Sequence, residues 1–267
     1  MIKLAVAGAG GRMGRAVLSL AAQDKSFRIV GAIEQRAHPS VGRDMGRLTG
    51  MGTLGVRVTC DPNQAVSRAD VLVDFTHASA TAAHLAAAVK AKIGYVLGTT
   101  GLDNKILVSL RETSTKIAIV QSPNLSIGVN VLFKLAALAG QALDESYDIE
   151  ITEAHHRMKK DAPSGTALKL LEILAAARKR DLKTDAVYGR EGETGIRPKG
   201  QIGVFALRGG DVAGDHTVSF LGDGERIELT HRASSRDAFA QGALRAAKFV
   251  AGRKSGLYNM SQVLGIE

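Results

Sequence analysis

Short, mainly apolar runs mark the first 121 positions, at 3–7, 28–33, 71–75, 95–97 and 117–120. Between these runs, at 12–22, 79–90 and 104–112, apolar residues recur every three to four residues, the spacing of a helix with one buried face. A strand that lacks polar alternation is covered on both faces. Strands of that kind interleaved with helices predict a parallel sheet between two helix layers. Residues 42–55 contain five glycines and little periodicity, and read as a loop.

Beyond residue 121 the pattern changes. A helical stretch, 129–143, follows the Pro123-Asn124 turn. Residues 148–152, 217–221 and 226–230 alternate with period two, which turns one face of their sheet toward a core and leaves the other polar. One helix, 166–179, intervenes, and a last one, 237–250, is expected to pack back on the first domain. The fold class is α/β. An N-terminal Rossmann-type parallel-sheet domain, 1–126 completed by 236–267, precedes a second α+β domain, 127–235, with a mixed, largely antiparallel sheet.

The 267 residues are 45% apolar and 23% charged, ordinary for a globular enzyme or binding protein of this length. No run approaches the ~18 apolar residues of a membrane span, and the apolar start leads into glycines without a signal-peptide cleavage pattern. With a single cysteine, Cys60, no intramolecular disulfide can form, and the cytoplasm is the expected compartment. The net charge of +9 points to an anionic partner. It is dispersed, and the densest run, Arg178-Lys179-Arg180, suits the solvated end of a helix. Aromatics are 4% and Trp is absent, which argues for a small anion over nucleic acid.

Candidate chemistry sits in two places. Gly8-Ala9-Gly10-Gly11-Arg12-Met13-Gly14 lies between the first strand and the first helix, where missing Cβ atoms let backbone N–H groups approach a pyrophosphate. Met13 breaks the strict G-x-G-x-x-G spacing, leaving Gly8, Gly11 and Gly14 as a close variant. Glu34 ends the second strand 20 residues after Gly14, where an acid would bond ribose hydroxyls. The loops Gly98-Thr99-Thr100-Gly101 and Ser122-Pro123-Asn124-Leu125 follow strands at the same sheet edge.

The second place is 153–167. The alternating strand delivers His155 and His156 at its end, Lys159 follows in a loop, and Ser164-Gly165-Thr166 opens a helix after Pro163. Cations facing the N–H donors of a helix start make a receptor for a carboxylate, and His or Lys can donate a proton. Adjacent histidines do not share a face as an i, i+4 pair does, so no metal is expected. His38, His84, His216 and His231 receive no role, since a lone histidine is usually a hydrogen-bonded structural residue.

E-A-H-H-x-x-K-x-D-A-P-S-G-T-A at 153–167 resembles the signature of the 4-hydroxy-tetrahydrodipicolinate reductases, also called dihydrodipicolinate reductases. The Gly8–Gly14 run, Asp74-Phe75-Thr76, Gly98 to Gly101, Asn130, Tyr188 to Gly192, Gly210-Asp211, Gly214 to Thr217 and His231 through Arg236 fit as well. The resemblance implies reduction of a small cyclic dicarboxylate to tetrahydrodipicolinate with loss of water, in lysine and diaminopimelate biosynthesis, using NADH or NADPH. It places the cofactor on Gly8, Ala9, Gly10, Gly11, Arg12, Met13 and Glu34, with Gly98, Thr99, Thr100, Ser122, Pro123, Asn124 and Leu125. It gives proton transfer to His155 and Lys159, and substrate binding to His156, Gly165 and Thr166, beside Ser164. It also implies homotetramers built through the second domain's sheet, with neither nucleic acid nor membrane as partner. Gln35 stands where many members carry Arg after the ribose-binding acid, and Arg follows one position later at Arg36. Two other readings compete: another small-acid dehydrogenase, such as one acting on an amino acid, and a nucleotide-sensing regulator. The 153–167 constellation argues against the first, and the lack of any helix-turn-helix pattern against the second.

Overall fold

In chain order the elements are β1 (Ile2–Ala7), α1 (Arg12–Gln23), β2 (Phe27–Ile33), α2 (Met45–Leu48), β3 (Val58–Thr59), α3 (Pro62–Val66), β4 (Val71–Asp74), α4 (Ala78–Ala91), β5 (Gly94–Leu97), α5 (Asn104–Thr113) and β6 (Ala118–Gln121). They continue with α6 (Ile127–Ala142), β7 (Asp148–His155), α7 (Gly165–Arg178), α8 (Leu182–Asp185), β8 (Ala186–Val187), β9 (Ile202–Arg208), β10 (Asp215–Leu221) and β11 (Arg226–Arg232). The chain ends with α9 (Asp237–Val250), β12 (Gly256–Tyr258) and α10 (Met260–Leu264). The computed structural model describes residues 1–266, which divide into two units, Met1–Ile127 with Arg236–Gly265, and Gly128–Ser235 with Ile266. Among the described residues no helix is long and apolar enough to cross a membrane.

The first unit holds a seven-stranded sheet in the order β12-β6-β5-β4-β1-β2-β3, and its strand pairs are parallel. Alternate residues of the apolar runs serve different layers. Leu4, Val6, Val73, Val96 and Val120 pack with Val17 and Leu18 of α1 and Ala243 and Leu244 of α9. Ala5, Ala7, Leu72, Leu97 and Ile119 pack on the other face with Leu85 and Ala88 of α4 and Leu110 of α5. Burial on both sides explains why these strands show no polar alternation. The last long helix returns to this unit, packing on α1 and β5. Strand order reverses between β1 and β4, and beyond the carboxyl ends at such a switch point open α/β sheets bind ligands.

The glycine-rich segment 42–55 is not wholly loop. It carries α2, capped by the Asp44 carboxylate accepting from the Arg47 N–H at 3.2 Å, with Met45 fully buried. Four residues are too few to print a helical period on the sequence.

The second unit holds a five-stranded mixed sheet, β11-β10-β7-β9-β8. β10 runs antiparallel to β11 and β7, while β7 runs parallel to β9 and β9 parallel to β8. One face, with Ile149, Ile151, Val204, Val218 and Phe220, packs on Leu132 and Ala136 of α6 and Leu170 and Leu174 of α7. β9 lies outside the strands read from the sequence. Phe205 and Leu207 put apolar side chains on its outer face as well, which erases the alternation.

Candidate functional site

The first unit gathers the glycine turn and the acid of β2. Gly8 has φ +76°, and a Cβ there would lie 2.5 Å from the Phe75 carbonyl oxygen. A Cβ on Gly14 would come within 2.0 Å of the Gly8 carbonyl oxygen, so neither position tolerates a side chain. Gly11 is the N-cap of α1 and offers no side-chain cap, so the first-turn N–H groups have no acceptor within the helix. The Gly10 N–H donates to Glu34 Oε1 at 2.8 Å, and Glu34 Oε2 accepts from the Gln35 N–H at 3.1 Å. The carboxylate is thereby fixed beside the turn. Gly11 and Arg12 are exposed and Met13 is half-buried. A bare helix start, two glycines that exclude side chains and a fixed acid fit a dinucleotide pyrophosphate and ribose.

At the ends of β4 and β5 a buried carboxylate ties two loops together. Asp74 Oδ1 accepts from the Thr76 N–H (3.0 Å) and hydroxyl (2.6 Å), and Oδ2 from the Tyr95 hydroxyl (2.7 Å) and His84 Nδ1 (2.7 Å). Thr99 Oγ accepts from the same Thr76 N–H at 3.1 Å. Burial by itself would raise the Asp74 carboxyl, but His84, Thr76 and Tyr95 hold it below the ordinary range. Gly98 has no Cβ because the Phe75 ring lies over it. After β6, the Ser122 hydroxyl donates to the Asn124 carbonyl at 2.8 Å, and Leu125 is buried. His84, which the sequence left without a role, is the partner of Asp74.

In the second unit, β7 continues its core face past Ile149 and Ile151 with Glu153 and His155. Glu153 is 1% exposed, and its carboxylate accepts four hydrogen bonds. Oε1 takes the Ser164 N–H (2.9 Å) and Arg208 Nη2 (2.8 Å), and Oε2 takes His155 Nδ1 (2.6 Å) and Arg208 Nη1 (2.8 Å). Burial pushes the Glu153 carboxyl up, yet Arg208, His155 and the Ser164 N–H outweigh it and keep it low. An ionised Glu153 assigns the His155 proton to Nδ1 and leaves Nε2, which lies beside Gly214, as the free nitrogen. Burial pulls His155 below its ordinary pKa, against the upward pull of Glu153.

Lys159 Nζ is held by Asp161 at 2.8 and 2.9 Å, and because Asp161 is exposed the lysine can exchange this contact for one to a ligand. His156 is half-buried, with its N–H on the Val212 carbonyl at 2.8 Å. The helix start differs from expectation in one respect. The Ser164 N–H belongs to Glu153, and the Ser164 hydroxyl caps α7 by accepting from the Ala167 N–H at 3.2 Å. Ser164 therefore shapes the receptor instead of lending it an N–H. Gly165 is exposed, and a Cβ on it would meet nothing within 4 Å, so space for a ligand opens there.

His216 lies opposite Glu153 in the β7–β10 register, with its ring edge-on to His155 at 5.2 Å between centroids. Its Nε2 is 3.0 Å from Ser164 Oγ, its Nδ1 is buried without a hydrogen-bond partner, and burial pushes its pKa down to about 3. A neutral His216 shares one hydrogen bond with the Ser164 hydroxyl and so holds the cap in place. Sequence reasoning gave no role in the site to Glu153, Arg208 or His216. The signal for Glu153 was its i, i+2 spacing from Ile151 and His155. Among the described residues no group of His, Cys, Asp or Glu could hold a metal ion.

Two family models cover the chain end to end: "Dihydrodipicolinate reductase, N-terminus" matches residues 2–125, and "Dihydrodipicolinate reductase, C-terminus" matches residues 128–264. The chain belongs to the dihydrodipicolinate reductase family. Similar curated proteins include the 4-hydroxy-tetrahydrodipicolinate reductase of Laribacter hongkongensis, 51% identical over 99% of this chain and 98% of that protein. That of Nitrosomonas europaea is 49% identical over the same shares. Among solved structures, a dipicolinate-bound dihydrodipicolinate reductase from Paenisporosarcina sp. TG-14 shares the fold at TM-score 0.76 and 22% identity, over 97% of each chain. An amine dehydrogenase from Mycobacterium smegmatis shares the fold at 0.62 and 14% identity, over 97% of this chain and 95% of that one.

Proposed function

We propose that residues 153–167 form the substrate site of this family member, with His155 and Lys159 moving the proton. The chain is an NAD(P)H-dependent 4-hydroxy-tetrahydrodipicolinate reductase of lysine biosynthesis. One observation carries the site reading: a buried carboxylate sets a histidine and a helix start side by side, and that start opens at Gly165 onto empty space.

The reaction adds one hydride and one proton to the ring, and water leaves. The reduced nicotinamide supplies the hydride when bound, and Gly8 to Met13, Glu34, Gly98 to Thr100 and Ser122 to Leu125 would hold its dinucleotide. Gly165 and Thr166 receive one substrate carboxylate at the start of α7, where the helix dipole favours negative charge. Ser164 keeps that start in shape, and His156 adds a polar contact to the ligand. Lys159 exchanges Asp161 for the substrate and hands over a proton. His155, its Nδ1 proton committed to Glu153, accepts or passes a proton at Nε2.

The same reading has the enzyme working in the cytoplasm as a homotetramer joined through the outer face of the second sheet.

Oxidation of NADH and of NADPH with the cyclic dicarboxylate, followed at the nicotinamide absorbance band, tests the function and the cofactor choice together. Two backbone N–H groups anchor the Glu34 carboxyl beside the glycine turn, where it would disfavour a 2′-phosphate; Gln35 brings no charge, and Arg36 would offset only part of that effect. NADH is expected to serve at least as well as NADPH. A preference for NADPH above about tenfold would assign the phosphate to another cation. Absence of oxidation with either cofactor would refute the function.

A further inference from the structure

We propose that Glu153 and Arg208 are positioning residues for proton transfer, an ion pair of a buried carboxylate and a half-buried guanidinium that holds the His155 ring, the start of α7 and the Lys159 loop in one frame. The inference rests on the reading of His155 and Lys159 above.

Glu153 occupies a core position of β7, on the same face as Ile149 and Ile151, where an apolar side chain would satisfy packing. Charge buried there carries a desolvation cost, and a buried pair is often replaced by apolar residues without loss of stability. What the pair contributes is geometry. Each carboxylate oxygen of Glu153 takes one Arg208 nitrogen and one further donor, His155 Nδ1 or the Ser164 N–H. The His155 ring is thus fixed in tautomer and direction from the carboxylate that also fixes the N-cap of α7. Arg208 carries the frame onward. Its Nη2 also donates to the Asp161 carbonyl at 2.7 Å, on the residue whose side chain holds Lys159.

The pair also sets the charge around His155. The groups facing that ring are Glu153 on its own strand, Arg208 from β9, His216 from β10 and Lys159 from the following loop. Glu153 raises the proton affinity of His155, while Arg208 and Lys159 lower it. Removing either member should therefore move His155 in opposite directions, which loss of packing alone would not do.

The test uses Glu153→Gln, Arg208→Met and the double variant in the full-length enzyme. The His155 titration is followed by NMR on histidine-labelled protein and assigned by the signal missing in His155→Ala. Glu153→Gln should shift that titration to lower pH and Arg208→Met to higher pH. Turnover in Glu153→Gln should fall at least roughly tenfold while the KM for NADH stays near wild type, as expected of an orienting hydrogen bond. If a single variant fails to fold, the double variant, which buries no unpaired charge, should fold and still show the lost turnover. Shifts in the same direction, no shift, or full turnover in folded Glu153→Gln beside an impaired His155→Ala would overturn this inference alone. Near-normal turnover in both His155→Ala and Lys159→Ala would instead remove the catalytic reading on which it rests.

Discussion

Replacing Lys159 or His155 by alanine is expected to lower turnover by roughly 10²–10⁴-fold while cofactor affinity stays near wild type. Hydride addition leaves electron density on the ring that an acid must quench, and these side chains are the proton carriers that the 153–167 segment presents. For Lys159 the structural cost is small. Its pair with the exposed Asp161 lies at the surface, and such pairs contribute about 0–1 kcal/mol. His155 is 9% exposed and hydrogen-bonded to a buried carboxylate, so His155→Ala also leaves Glu153 one donor short and should melt at lower temperature. Steady-state rates measured well below each variant's melting point separate the two effects, and nicotinamide fluorescence reports cofactor binding. Near-normal rates in both variants would take these residues out of the mechanism, and a loss of NADH affinity would move the segment to the cofactor site.

Gly165→Val should raise the KM for the dicarboxylate by roughly tenfold to a hundredfold, the cost of losing one hydrogen bond to a charged group at about 1.5–3 kcal/mol. The variant is a clean probe because nothing in the protein requires glycine there. Its φ lies outside the left-handed region, it is the first residue of α7, and a Cβ on it meets no atom within 4 Å. The added side chain would project into the open space proposed for the ligand. Melting temperature and NADH binding should hardly change. An unaltered KM would show that the carboxylate binds elsewhere.

Features written in local spacing were legible from the sequence. The Gly8–Gly14 turn, Glu34, the parallel sheet and the alternation of β7 follow from periods of two and 3.6 residues and from glycine placement. The helix start at Ser164 was legible too, because an N-cap is a local signal. What stayed hidden depends on partners far along the chain. Glu153 was quoted as part of a motif, but its weight comes from Arg208, 55 residues later on a strand whose outer apolar residues disguise it. His216 matters because the β7–β10 register sets it against Glu153. The Ser164 N–H looked open to a ligand until the fold placed a carboxylate 2.9 Å away. Asp74 joins Tyr95 and His84 across β4, β5 and α4, a meeting that no spacing announces.

The most direct test of the substrate site is a crystal of this enzyme grown with NADH and soaked in a planar dicarboxylate such as dipicolinate. One carboxylate should lie at the start of α7, within about 3 Å of the Gly165 N–H, with Lys159 turned from Asp161 toward the ligand. A dicarboxylate bound only at the Gly8–Gly14 turn, with the start of α7 unoccupied and Lys159 still on Asp161, would contradict the account.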